Sequence, residues 1–249
     1  MSFLGDVFDW FANGDHWTGN EGIPHLVLQH LGISAISLVV AVLVALPIGL
    51  VLGHARKGGF VAVNVSNVGR ALPSLAILLL AVLTFGIKDP PEVFRSVGIG
   101  SIPTFIALVA LAIPPILTNT YVGIADVDPD LRDAASGMGM NGRQQLWRVE
   151  LPVALPLIMA GIRTSAIAVI ATATLAAYVG WGGLGRYIID GLAVQDNAKV
   201  FAGALLVALL AIAVELALGA LQRVLVSPGL RVDAGPAGEI TTPPRPARA

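Results

Sequence analysis

The sequence predicts an all-α membrane protein of five transmembrane helices, with its N-terminus outside the cell and its C-terminus in the cytoplasm. Three observations carry this. Of the 249 residues, 55% are hydrophobic and only 12% charged, against roughly 25% charged in soluble domains, and mean hydropathy is +0.80. The apolar residues gather into five runs of the length that a bilayer core demands, about 20 residues each. Finally, Lys and Arg are shared unequally by the loops between those runs, and excess positive charge stays in the cytoplasm.

Taken in order, residues 1–27 carry Asp6, Asp9, Asp15 and Glu21 and no Lys or Arg, so they lack the charge pattern of a cleavable signal. Phe3, Leu4, Val7, Phe8 and Phe11 recur at helical spacing. This suits an amphipathic helix at the outer bilayer surface with Trp10 and Trp17 at headgroup depth; an unstructured tail is the alternative. The spans follow at about 28–52, 62–85, 99–121, 153–179 and 201–226. Pro103, Pro114 and Pro115 fall inside the third, where neighbouring helices can satisfy the backbone groups that proline frees. Residues 227–249, rich in Pro, Gly and Ala, read as a disordered cytoplasmic tail.

One set of loops holds Arg56, Lys57, Arg132, Arg143, Arg148, Arg223, Arg231, Arg245 and Arg248; the other holds Lys88, Arg95, Arg186 and Lys199, nine against four. The loop at about 125–152 is therefore expected in the cytoplasm. In it, Asp128-Pro129-Asp130 supplies an N-cap, a proline at the first helical position and a charge complementary to the helix dipole. A two-turn helix is expected from Pro129, with Leu131, Ala134, Ala135 and Met138 on one face and Gly137 ending it in a left-handed turn. A small apolar face with no other cytoplasmic protein to cover it suits insertion into a partner's groove. Lying on the inner bilayer surface is the other use of such a face.

Net charge of −1 and no basic cluster argue against a nucleic-acid partner. There is no cysteine, which excludes thiolate metal sites and cysteine nucleophiles; no HExxH occurs, and no catalytic or metal site is expected. The three lysines, at 57, 88 and 199, do not end a phosphate-cradling GK[ST] loop. Gly137-Gly139-Gly142 and Gly180-Gly182-Gly185 match GxGxxG, but neither follows a strand, so both are chance matches to the dinucleotide motif.

The loop's spacing resembles a known pattern. Asp133-Ala134-Ala135, three residues, Gly139, nine residues, then Val149-x-Leu151-Pro152 is similar to the EAA loop of permease subunits of binding-protein-dependent ABC importers. Leu72-Pro73-Ser74-Leu75-Ala76, PPILTNTYVGIADVDPDLRDAASGMGM, VELPVALPLIMAGIRTSA and the glycines from Gly180 to Gly185 resemble the osmoprotectant branch, which imports glycine betaine, choline, carnitine or proline-type solutes. The likeness runs from about 28 to 226. Asp133 stands where the family usually has Glu, and Trp181 where a small residue is commoner.

The resemblance implies a multi-pass subunit of a prokaryotic cytoplasmic (inner) membrane without an ATPase site of its own. It implies as partners a cytoplasmic ABC ATPase dimer that binds ATP and Mg, an extracytoplasmic solute-binding protein, and a second copy or homologous permease. The two-turn helix would be the coupling helix, with Asp133, Ala134, Ala135, Met138 and Gly139 as its contact set. Ser74, Thr172, Thr174, Gly182 and Gly183 are candidates for the translocation pathway or its gate. The polar side chains of the spans serve equally as interhelical glue, and the glycine cluster equally as loop chemistry.

Charges inside spans cost on the order of 3 kcal/mol each at a helix centre, so Arg70, Arg163 and Glu215 require partners or escape to the interface. Glu215 is the deepest, and pairing with one of the two arginines is the favoured reading over a substrate or proton role. A permease for an amino acid or another small solute is the nearest rival function. An ion-coupled secondary transporter is the rival from another class, whose mark would be several buried acids or broken helices at mid-membrane.

Overall fold

The computed structural model describes residues 2–60, 64, 67, 69, 71–86 and 101–227. Its α-helices include α1 (Phe3–Ala12), α2 (Ile23–His54), α3 (Ser74–Phe85), α4 (Ile102–Ala125), α5 (Pro129–Gly137), α6 (Gly142–Gln145), α7 (Leu151–Ala173), α8 (Gly185–Ala193) and α9 (Asn197–Leu225). A π-helical turn, Leu146–Glu150, joins α6 to α7, and a 3₁₀ turn, Thr174–Val179, extends α7.

Among the described residues, four helical stretches are long and apolar enough to cross a membrane: Ile23–His54, Ile102–Ala125, Gly142–Val179 and Asn197–Leu225. At 32 residues α2 is about 48 Å long by the 1.5 Å rise, well beyond the roughly 30 Å hydrocarbon core. The expected span at 62–85 is seen as the 12-residue α3; within 62–73 only Asn64, Asn67, Gly69 and residues 71–73 are described. Arg70, Lys88, Arg95 and the tail from 228 lie outside the described residues. The fourth span starts earlier than expected. RQQLWRVELP is helical from Gly142 instead of loop, because Asn141 and Gln144 form a reciprocal capping box that starts the helix there.

Helices α2, α4 and α7 pack side by side, α3 lies on α4, and α8 and α1 lie against α9. Ile33, Ala41 and Ala45 of α2 meet Leu108, Ala112 and Ile116 of α4 and Val169 and Ala173 of α7 in the main core. Small residues let these helices approach closely, the usual basis of packing where lipid supplies no hydrophobic contrast. A Cβ on Gly53 would lie 2.7 Å from Ile124 Cβ and 2.9 Å from the Tyr121 carbonyl, and one on Gly49 would lie 2.7 Å from Thr120 Cβ. Overpacking of this kind costs about 1–3 kcal/mol or more. Gly53→Val is therefore expected to lower the thermal midpoint of the detergent-solubilised chain, whereas Gly32→Ala, where nothing lies within 4 Å, leaves it unchanged or raised. Equal melting of the two variants would refute the close-approach reading.

The N-terminal helix forms as expected, with Trp10 turned toward the protein. It is buried, with its ring edge-on to Tyr187 and stacked on His16. Leu4 and Phe8 are left on the exposed face, so the amphipathic stripe is divided between protein and surroundings. At the same end, His30 Nε2 donates to the Ile170 carbonyl at 2.9 Å while its Nδ1 accepts from Leu184 N at 3.3 Å. Gln29 Oε1 accepts from Gly183 N at 3.1 Å. Two adjacent side chains of α2 thus clamp the glycine-rich turn to the bundle.

Candidate functional site

The loop between α4 and α7 carries α5, which is capped at both ends. Asp128 Oδ1 accepts from Asp130 N at 2.9 Å, and Pro129 occupies the first helical position. At the other end of α5, Gly139 N bonds the Ser136 carbonyl and Met140 N the Ala135 carbonyl. The left-handed residue is Gly139, with φ +80°, not Gly137, which remains in the helix. Gly139 rather than Gly137 thus carries the requirement for a residue without Cβ.

The exposed face of α5 also differs from the expected one. Met138 is 71% and Leu131 46% exposed, and Asp133, Ala134 and Gly139 are exposed too. Ala135, grouped with them by apolarity, is only 1% exposed and faces its own chain. Beside it, Arg132 is the second buried residue of the helix.

Arg132 is buried because a carboxylate waits for it. Glu150, on the π-helical turn that leads into α7, is fully buried. Its Oε1 lies 3.2 Å from Arg132 Nη1 and its Oε2 lies 2.8 Å from Nδ1 of His54, the last residue of α2. Arg132 also donates from Nη2 to the Ile124 carbonyl near the end of α4 and from Nη1 to the His54 carbonyl at 3.5 Å. Arg56 adds a bond to the Val127 carbonyl at 3.2 Å. Burial pulls the Arg132 pKa below its ordinary value, Glu150 opposes that shift, and Arg56 adds to it. The π turn matters here because it alters the helical register between α6 and α7, a geometry that recurs at functional sites. Sequence reasoning missed this cluster. Its signal was an acid in VELP, at the mouth of an apolar span, where an unpaired charge would be costly.

The pathway candidates lie on α3, at the end of α7 and in the turn before α8. Ser74 starts α3, which meets the Thr174–Val179 turn through Leu78, Ala81, Leu175 and Val179. Thr172 is half-buried near the end of α7, and the Thr174 hydroxyl donates to its own helix at the Ala171 carbonyl, 2.7 Å. Gly183 is buried in the clamp, with φ +80°. Gly182 lines a pocket of about 230 Å³ with Glu21, Gln29, Arg186, Tyr187 and Lys199. There the Tyr187 hydroxyl donates to the Glu21 carbonyl at 2.6 Å. Burial, aided by the Glu21 charge, pushes this phenol up to about 12, so it stays a donor at neutral pH.

Other polar side chains of the spans have backbone partners. Ser165 of α7 donates to the Ala112 carbonyl of α4 at 2.8 Å, beside the Pro114-Pro115 pair, and is interhelical glue. Thr84, Asn119 and Thr164 bond carbonyls four residues back in their own helices. Glu215 of α9 receives Arg163 of α7 through Nε at 3.0 Å and through Nη2, while Arg163 Nη1 donates to Gln222 Oε1 at 2.7 Å. The paired-acid expectation holds, with Arg163 as the partner.

Residues 45–227 match the family described as binding-protein-dependent transport system inner membrane component. The chain is 39% identical over 214 residues to the choline transport system permease protein OpuBB of Bacillus subtilis, covering 86% of this chain and 93% of that one. It is 39% identical over 203 residues to the glycine betaine/carnitine/choline transport system permease protein OpuCB of the same organism, covering 82% and 88%. With the osmoprotectant import permease protein OsmW of Salmonella typhimurium the identity is 33% over 209 residues, covering 84% and 94%. Among solved structures, the inward-facing MetNI methionine ABC transporter superposes with a TM-score of 0.68 at 20% identity, covering 82% of this chain and 96% of that one; at that identity the likeness is one of fold. A capped loop helix tied into a bundle of apolar helices, and a match over most of the chain, lead to one conclusion: the protein belongs to the binding-protein-dependent inner-membrane permeases, the multi-pass transport subunits of ABC importers, which leave ATP hydrolysis to another subunit.

Proposed function

We propose that this chain carries a compatible solute such as glycine betaine, choline, carnitine or proline across the inner membrane, with α5 as the coupling helix. The observation that carries the coupling role is α5 itself. It is capped at both ends and tied to the bundle by a buried ion pair, yet Leu131, Ala134 and Met138 remain exposed. A helix so firmly held, with an apolar face left open, is built to be pushed. Asp133 and Gly139 complete the contact set, while Ala135 serves as its inner anchor. The partner is a cytoplasmic ATPase dimer holding ATP and Mg.

In this reading five spans cross the membrane, the second including α3, with the N-terminus outside and the α5 loop and C-terminus in the cytoplasm. A second copy or homologous permease completes the pathway, and a solute-binding protein delivers cargo at the far end, near the Gly182 pocket. Ser74, Thr172, Thr174, Gly182 and Gly183 stay as pathway or gate candidates. Support for the solute comes from relatives in the range of 33–39% identity whose names specify choline, betaine, carnitine or osmoprotectant. An amino-acid cargo has the support of fold likeness alone. The secondary-transporter reading loses its best residue, because Glu215 is occupied by Arg163.

In proteoliposomes with cognate ATPase and binding protein, choline or glycine betaine uptake is expected to require ATP and to rise with the binding protein. Uptake at an undiminished rate without the ATPase would overturn the importer reading. A cysteine at Met138 is expected to crosslink to the ATPase, and one at Phe8 is not.

A further inference from the structure

Arg132 lies on the buried side of α5 and reaches the loop ends of three long helices. It donates to the His54 carbonyl in the last turn of α2 and to the Ile124 carbonyl in the last turn of α4, and it faces Glu150 at the entry to α7. Both carbonyls sit at negative helix ends, where a cation is favoured. His54 closes the arrangement from the other side of Glu150 at 2.8 Å.

These three helix ends are also packed closely together. Cβ-less contacts join α2 to α4 at Gly49 and Gly53, and a Cβ on Gly123 of α4 would lie 3.2 Å from Ala154 Cβ of α7. Close packing of this kind transmits a displacement from one helix to the next. By contrast, α5 is connected in the chain only through short turns, 126–128 and 138–141, about which a helix can pivot. Drawing Arg132 out of the cluster would leave Glu150 charged and buried without its main counterion, a strongly unfavourable state.

We propose that Arg132 and Glu150 are positioning residues of coupling: they prevent α5 from pivoting and make α2, α4 and α7 follow it as a unit. This rests on the reading of α5 as the coupling helix. Under it, the ATPase moves a block, and the exposed contact residues of α5 transmit nothing unless the Arg132–Glu150 pair is intact.

The test uses the complete transporter in proteoliposomes, with solute imported per ATP hydrolysed as the readout. For Glu150→Gln, ATPase binding and hydrolysis are expected within about twofold of the parent, with import per ATP down about tenfold or more. Arg132→Met combined with Glu150→Leu removes the charges without stranding one and is expected to show the same split. An assembled variant that imports at the parental ratio, or whose hydrolysis and uptake fall in equal proportion, would overturn the proposal. An independent measurement on the otherwise unaltered complex uses spin labels at Ser136 and Val51, both exposed. Their separation is expected to be the same in nucleotide-free and ATP-trapped states, and a change of several ångströms refutes the rigid link. Failure of the unaltered transporter to bind an ATPase would count instead against the coupling-helix reading.

Discussion

Met138→Asp is expected to abolish ATP-driven uptake while leaving the permease folded in the membrane. Met138 is 71% exposed and ends the apolar face of α5, so its own chain has little to lose from the exchange; exposed substitutions of this kind stay within about 0.5 kcal/mol. In a partner's cleft the same change buries an unpaired carboxylate, which costs several kcal/mol. Since 1.4 kcal/mol is tenfold in an association constant, even about 3 kcal/mol weakens ATPase binding more than a hundredfold. Ala134→Arg is expected to act alike through bulk and charge. Ala135→Met is the contrast: with 1% exposure it disturbs the permease's own packing and lowers its melting point. Pull-down of the ATPase, uptake, and thermal unfolding of the three variants check this. Parental uptake by Met138→Asp would remove α5's outer face from the interface.

Local chemistry made the start of α5 readable: a cap, a proline and a charge dictate Pro129 whatever surrounds them. Its exposed face was harder, because apolarity alone assigns Ala135 outward, whereas the bundle buries Ala135 to bring Arg132 to Glu150. That choice depends on a residue 18 positions later and on a π turn between them, neither visible to a helical pattern. Glu150 precedes Leu151-Pro152 in a stretch expected as loop, and only the capping box that carries the helix back to Gly142 places it on a helical turn. The clamp of Gln29 and His30 on Gly183 and Leu184 joins residues about 150 apart and leaves no local trace. Arg163–Glu215 was readable because lipid forbids a lone charge, and the list of possible partners was short.

Glu215→Gln is expected to destabilise the permease by about 3 kcal/mol, the order of cost for an uncompensated charge within a span. Arg163 keeps an amide oxygen as acceptor for Nε and Nη2, and Gln222 at 2.7 Å, but loses the negative charge that those bonds carried. The consequence is local as well as global, because the pair joins α7 to α9, which carries few other buried residues. Replacing both members, Arg163→Met with Glu215→Met, is expected to recover most of the loss, since removing a pair strands nothing. The coupling in the double-mutant cycle measures the pair itself, read as thermal midpoints in detergent. Uptake should follow stability: poor for Glu215→Gln, restored in the double variant. A Glu215→Gln permease that melts like the parent yet transports nothing would end the structural reading. It would make Glu215 a participant in transport and return weight to an ion-coupled mechanism, where a mid-membrane acid must be free to change its charge.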